Sequence, residues 1–195
     1  MQKLLTFPYL VFILLTSASC ISSTDPEIVI NPSLYEDMEY SVAYEKATTS
    51  LEMIDNFETK FTIQVTALSP KFRQAFSDRF KTLYNETQPV LTEASNKSAF
   101  FVSLFAANED LIDLSDETLW NIQLLKSSET KKPIRVKKIS NKSRWTPFFD
   151  GISPWTKEFL VLFDVPIGQT GEEFLKNPDT KLVLSNQSGK MTISW

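Results

Sequence analysis

Between residues 57 and 67 apolar and polar side chains alternate. Phe57, Thr59, Phe61, Ile63, Val65 and Ala67 fall on one side and Glu58, Lys60, Thr62, Gln64 and Thr66 on the other. A period of two over this length predicts a strand with one buried and one wet face. Residues 50–55 stand where a pairing strand would. Residues 98–106 (SAFFVSLFA) and 157–164 (KEFLVLFD) are apolar in both registers, as central strands covered on both faces are. Residues 118–126 alternate, with Trp120, Ile122 and Leu124 inward; residues 132–139 (KPIRVKKI) do so more weakly. Residues 180–185 and 190–195 flank Asn186-Gln187-Ser188-Gly189, a hairpin turn by composition. The second of these segments has Met191, Ile193 and Trp195 on one face.

Two stretches carry helical spacing instead. In 35–48 the predicted buried stripe is Tyr35, Met38, Val42 and Ala43. Further on, Ser69 followed by Pro70 is a helix start, and Phe72, Ala75, Phe76, Phe80 and Leu83 recur at intervals of three and four. Seven or eight short strands with two early helices predict a mainly β fold: an antiparallel β-sandwich, open to an immunoglobulin-like topology, with the two accessory helices at an edge or end. A sheet covered on one face by the helices is the other arrangement. Residues 35–195 are expected to form a single β-rich domain.

The front of the chain has a different character. Lys3 precedes an apolar stretch from Leu4 to Leu15, and small residues Ser17, Ala18 and Ser19 lead into Cys20. That order predicts a secretory signal peptide over residues 1–19. The apolar stretch falls short of the roughly twenty residues a membrane-crossing helix needs. Cys20 is the sole cysteine, so an internal disulfide is excluded. The segment Leu14–Cys20 resembles the lipobox of bacterial lipoproteins, with Ser17 where those sequences usually carry leucine and Leu15 two residues earlier. The resemblance implies acylation of Cys20 and attachment to a membrane of the cell envelope. Ile21 is not the aspartate that retains some lipoproteins at an inner membrane, so the outer membrane is the expected site in a cell that has one. On this reading residues 20–34 are expected to be the lipidated cysteine and a Ser-, Thr- and Pro-bearing tether.

Composition narrows the chemistry. Beyond residue 19 the chain carries 24 acidic and 19 basic side chains, a net charge of −5, which argues against a dedicated nucleic-acid binder. It has no histidine, which removes histidine-dependent triads, the usual general base and the commonest metal ligand. Its four glycines (Gly151, Gly168, Gly171 and Gly189) cannot assemble a phosphate-cradling loop. No cofactor, metal or catalytic residue is expected. A carboxylate-pair glycosidase stays formally open, although nothing marks two acids as the pair.

Two segments are candidate contact surfaces. Residues 126–144 carry a net +7, from Lys126, Lys131, Lys132, Arg135, Lys137, Lys138, Lys142 and Arg144 against Glu129. Such a run suits an anionic lipid or glycan surface. It equally suits a solvated edge strand whose lysines deter pairing, neutralised by the acids of 25–58. The second segment is the loop 144–155, with Trp145, Phe148, Phe149 and Trp155. Exposed, these rings are a sticky patch for a partner; buried, they plug one end of the sandwich. The candidate interaction surface is therefore Lys131, Lys132, Arg135, Lys137, Lys138, Arg144, Trp145, Phe148, Phe149 and Trp155.

Two weaker signals complete the reading. The acids of 108–117 lack the spacing of a calcium loop and read as solvated turns. Four Asn-x-Ser/Thr sequons, at Asn85, Asn96, Asn141 and Asn186, fall at expected turns. The expected function is a membrane-anchored, non-catalytic envelope lipoprotein that binds a protein, glycan or anionic lipid surface. The alternative is a carrier of a lipid or other apolar ligand between sheet and helices, motivated by the phenylalanine content.

Overall fold

The computed structural model describes residues 37–87, 92–95, 97–126, 129–165, 177 and 179–195. Residues 1–19, expected to be a signal peptide, Cys20, the expected tether to residue 34, and Tyr35 lie outside them. The described chain is mainly antiparallel β. Its elements are α1 (Met38–Ala47), β1 (Thr48–Asp55), β2 (Glu58–Ala67), α2 (Pro70–Tyr84), β3 (Ser98–Ala106), β4 (Asn121–Lys126), β5 (Glu129–Lys131), β6 (Arg135–Lys138), β7 (Lys157–Phe163), β8 (Lys181–Asn186) and β9 (Gly189–Ile193). Short 3-10 turns lie at Glu109–Leu111 and Lys142–Arg144.

The strands form two sheets, ordered β1-β2-β3-β7-β6 and β5-β4-β8-β9. Three consecutive strands lie side by side in the first sheet, whereas an immunoglobulin order sends the third strand across to the second. Between the sheets the alternation read from the sequence is realised. Phe61, Ile63 and Val65 of β2, Phe100, Val102 and Leu104 of β3, and Phe159, Val161 and Phe163 of β7 meet Ile122, Leu124, Leu182, Leu184, Met191 and Ile193.

The opposite face of the five-stranded sheet is also buried. There the helices cover it, so they form a third layer and not an edge decoration: Phe101, Leu160 and Leu162 pack against Tyr40, Tyr44, Phe72, Phe76 and Phe80. This explains why β3 and β7 are apolar in both registers. A strand with a sheet on one side and helices on the other has no wet face.

Local chemistry sets both helices. Ser69 Oγ accepts the Phe72 amide at 3.2 Å, Pro70 occupies the first turn, and Asn85 ends α2 in the left-handed region (φ 53°). Such a cap contributes about 1 kcal/mol. Helix α1 starts on Asp37, whose Oδ1 accepts the Tyr40 amide at 3.0 Å. Its buried stripe differs from the one expected: Tyr40, Ala43, Tyr44 and Ala47 are inside, while Met38 and Val42 are exposed. The amphipathic signal misleads here because the buried anchors are tyrosines whose hydroxyls find partners. Tyr40 donates to the Phe148 carbonyl and Tyr44 to Asp150.

The first hairpin brings a second correction. Asp55 pairs with Glu58, leaving a two-residue turn of Asn56 and Phe57, both with positive φ (52° and 64°). Two left-handed residues give a turn whose twist matches the strands. Phe57 is thus fully exposed at the tip and not in the core. At the far end of the chain, Trp195 stacks on Phe100 (5.2 Å between ring centres), and its Nε1 donates to the Ala47 carbonyl at 2.7 Å.

Candidate functional site

The basic run does not form one patch. After β5, Pro133 ends pairing and the chain crosses to the other sheet as β6. Opposed residues of antiparallel strands share a face. Arg135 and Lys137 lie opposite Leu162 and Leu160 and so face the helix side; Val136 and Lys138 lie opposite Val161 and Phe159 and face the second sheet. On the helix side both cations converge on Glu93, Lys137 Nζ at 2.7 Å and Arg135 Nη1 at 3.3 Å. The hydrogen bond from Lys137 is the main force holding the Glu93 carboxyl below its usual range, and the two positive charges add to it.

The remaining cations divide further. Lys131 pairs with Glu129 at 3.0 Å. Arg144 reaches Glu86 at 2.6 Å and lies over the Tyr84 ring, its guanidinium 5.0 Å from the centroid. Lys142 points inward, 3.5 Å from the buried carboxylate of Glu158. Among the described residues the acids paired with this run are Glu86, Glu93, Glu129 and Glu158; the acids of 25–36, to which the sequence also pointed, lie outside the described residues. Lys132 remains on the surface without an ion pair among the described residues.

The aromatic loop is mostly buried, but on the helix-facing side of the five-stranded sheet and not as a plug of one end of the sandwich. Trp145, Phe148 and Phe149 are buried, and only Trp155 is exposed, at 74%. The first three therefore do not belong to a contact surface. Phe149 lies flat on Phe101 at 3.8 Å between centroids and 10° between planes, and Phe148 sits 4.7 Å from Phe76. Trp145 stacks on both Phe76 and Phe101. These rings pack between the helices and the five-stranded sheet among the described residues.

Beneath the loop lies a polar row that the alternation rule hid. Pairing aligns Ser50, Gln64, Ser103 and Glu158 across β1, β2, β3 and β7 on the helix-facing side. Each member beyond Ser50 holds the loop or its flank. Gln64 donates Nε2 to Asp150 at 2.6 Å and accepts the Gly151 amide on Oε1 at 3.0 Å. Ser103 donates to the Gly151 carbonyl at 2.8 Å. Glu158 accepts from Thr156 at 2.7 Å, while Lys142 donates to the carbonyls of Ser153 (2.8 Å) and Thr156. A Cβ at Gly151 would come within 2.8 Å of Gln64 Cδ, so a larger residue there would displace Gln64 from these hydrogen bonds. Tyr44 also donates to Asp150; burial first, and then the adjacent carboxylate, push its phenol well above the ordinary value. Periodicity treats Gln64 and Ser103 as outward positions or small fillers, so nothing local announces that they align.

Beside the basic strand a cleft of about 390 Å³ opens between β4 and β6. Trp120, Ile122, Pro133 and Val136 give it apolar walls, and Lys132 and Glu117 give it charge. Trp120 is fixed there by donating Nε1 to the Leu111 carbonyl at 3.0 Å. Of the candidate surface residues, only Lys132 lines this cleft directly.

The acids of 108–117 are turn formers. Asn108 caps the 3-10 turn at Asp110, Asp113 accepts from Ser115 and Asp116 accepts from Thr118. Leu111 and Leu114 between them are buried. Among the described residues no three acids are grouped to hold a metal ion. Three of the sequon asparagines sit at turns: Asn85 and Asn141 in the left-handed region, Asn186 accepting the Ser188 amide. Asn96 lies outside the described residues. No family model matches the chain, and no match was found among curated proteins or solved structures.

Proposed function

We propose that this chain is a membrane-anchored, non-catalytic lipoprotein of the bacterial envelope, acting as a binding or structural module. The observation that carries the reading is the sequence Leu14–Cys20. It places the sole cysteine directly after an apolar stretch and three small residues. An acyl chain on that sulfur would hold the domain at a bilayer, each buried methylene contributing about 0.8 kcal/mol. The absence of histidine removes the commonest general base. The surface proposed to meet a partner, whether an envelope protein, a glycan or an anionic lipid face, is the cleft lined by Lys132, with exposed Lys131 next to it and Lys138 on the same face of β6 as Val136; Trp155, exposed before the opposite end of β7, is a separate candidate contact.

Metabolic labelling with a fatty-acid analogue tests the anchor. Wild type should incorporate label and sediment with membranes, and Cys20→Ala should do neither. An intact mass showing an unmodified thiol would end this reading. Reversal of Lys132 and Lys138 to glutamate tests the surface. Unaltered localisation and unaltered recovery of cross-linked partners would remove the basic half of the proposal.

A further inference from the structure

The turn between β1 and β2 holds a phenylalanine where one is costly. Asn56 and Phe57 both have positive φ, 52° and 64°. Asparagine tolerates that conformation, whereas phenylalanine is strained in it. The ring gains nothing inside the molecule in return: Phe57 is fully exposed, and Ile54 beside it is 60% exposed. Strain of this kind clusters where a side chain is presented to something outside the chain.

Trp155 belongs to the same end of the five-stranded sheet. The register aligns Ile63, Leu104 and Lys157 across β2, β3 and β7. From that row β2 runs back to its start at Glu58, β3 runs on to Ala106, and β7 leads back towards Trp155. Three of the six exposed large hydrophobic side chains among the described residues therefore share one end. The others are Met38 and Val42 on α1, and Ile134, which precedes β6 at the far end. The polar side chains of the shared end do not make it basic. Glu58 pairs with Lys60 at 2.7 Å, and Asp55, Glu109 and Asp110 outnumber Lys157.

We infer that this end of the domain docks on a zwitterionic bilayer surface, with Phe57, Ile54 and Trp155 entering the interface. The inference rests on anchorage through Cys20 to bring the bilayer near. The sixteen residues between Cys20 and Asp37 can span at most about 60 Å. The ten residues of β2 span about 33 Å. Such a tether lets any end of the domain reach the membrane, so the surface of the domain selects which one does. Aromatic side chains favour the membrane–water boundary. With β3 between them, β2 and β7 lie about 10 Å apart, so the apolar side chains are separate prominences. A fluid bilayer closes around separate prominences, whereas a protein interface is built on a contiguous apolar centre. The lack of positive excess disfavours an anionic lipid surface.

The test holds the full chain, made by cell-free synthesis, on phosphatidylcholine vesicles through a maleimide lipid coupled to the Cys20 thiol. Brominated phosphatidylcholine then quenches any tryptophan that enters the interface. Trp120 and Trp145 are buried and Trp195 is half-buried, so Trp155 is the residue this reads. Wild type should lose emission, and Trp155→Phe should lose none. Adding Phe57→Trp to Trp155→Phe should restore the quenching, and adding Ile134→Trp should not. Phe57→Asn, which suits the left-handed turn and keeps the fold, should weaken the quenching of Trp155 about twofold. Unquenched wild type on these vesicles, or equal quenching at positions 57 and 134, would overturn the inference. Quenching only when anionic phosphatidylglycerol is added would overturn the choice of lipid. Unquenched wild type together with a cross-linked envelope protein lost on Phe57→Asn would give this end to a protein partner instead. Because the coupling replaces any natural acyl chain, an unmodified thiol in the cell would end the anchorage reading without altering these outcomes.

Discussion

The two faces of the five-stranded sheet are filled by different means. Against the second sheet the side chains are mostly aliphatic, they come from strands on both sides, and they follow strict alternation. Against the helices the filling is a run of stacked rings from α1, α2 and the loop 145–149, pinned from below by Gln64, Ser103 and Glu158. The first face can be built from any alternating strands of suitable volume. The second depends on individual hydrogen bonds and ring orientations, because a loop carries no repeating backbone ladder of its own. The contrast is one between a core that pattern specifies and a core that geometry specifies.

The largest expected effect separates these two. Phe149→Ala should cost about 3–5 kcal/mol, since it removes the ring that lies on Phe101, and Leu104→Ala about 2–5 kcal/mol. Urea unfolding followed by circular dichroism compares them. Phe149→Ala should also lower the helical signal of the remaining native state, and Leu104→Ala should not. Equal loss of helical signal in both would mean that the two layers are one cooperative unit.

Lys142→Ala comes next, because it leaves the Glu158 carboxylate buried without its cation. A loss of about 2–3 kcal/mol is expected, less than for a fully enclosed pair because the lysine is partly solvated. Lys142→Ala combined with Glu158→Leu should recover part of it. If the single change is silent in denaturant titration, the polar row does not hold the loop.

Tyr44 gives a pH signature. Burial and Asp150 raise its phenol in the folded state, so above about pH 10 the unfolded chain loses a proton that the folded chain keeps. Stability is therefore whole below pH 10 and falls as pH rises through the folded value. Tyr44→Phe should be less stable at pH 8 but show a shallower alkaline decline. Parallel pH profiles of the two proteins would refute this assignment. The smallest effect is at the first hairpin, where Phe57→Gly should raise stability by about 1 kcal/mol, read as a small upward shift in Tm, by relieving a left-handed phenylalanine.

Much of the β architecture was legible before the structure. Period two placed β2, and double-sided hydrophobicity placed β3 and β7 at the sheet centre. The Ser69-Pro70 start and the phenylalanine stripe placed α2. What failed did so for identifiable reasons. Phe57 continues the alternation of β2, but Asn56 and Phe57 form the turn, and a phenylalanine in a left-handed position is not a signal that pattern contains. Met38 and Val42 are more hydrophobic than Tyr40 and Tyr44, yet tyrosines with satisfied hydroxyls take the inside of α1. The basic run looked like a single surface because sequence order ignores that neighbouring β residues point apart. The partners Glu86 and Glu93 lie far from the run in sequence, and only the fold brings them to it.

The covering of one sheet by two different layers has a consequence for how the molecule opens. Amides in β3 are bonded to β2 on one side and β7 on the other, with protein above and below. Solvent deuterons can reach them only when the second sheet and the helices have both come away. Those amides should be the last to exchange, at a free energy equal to that of global unfolding, while β1, β6 and the Asn56-Phe57 tip exchange through local fraying.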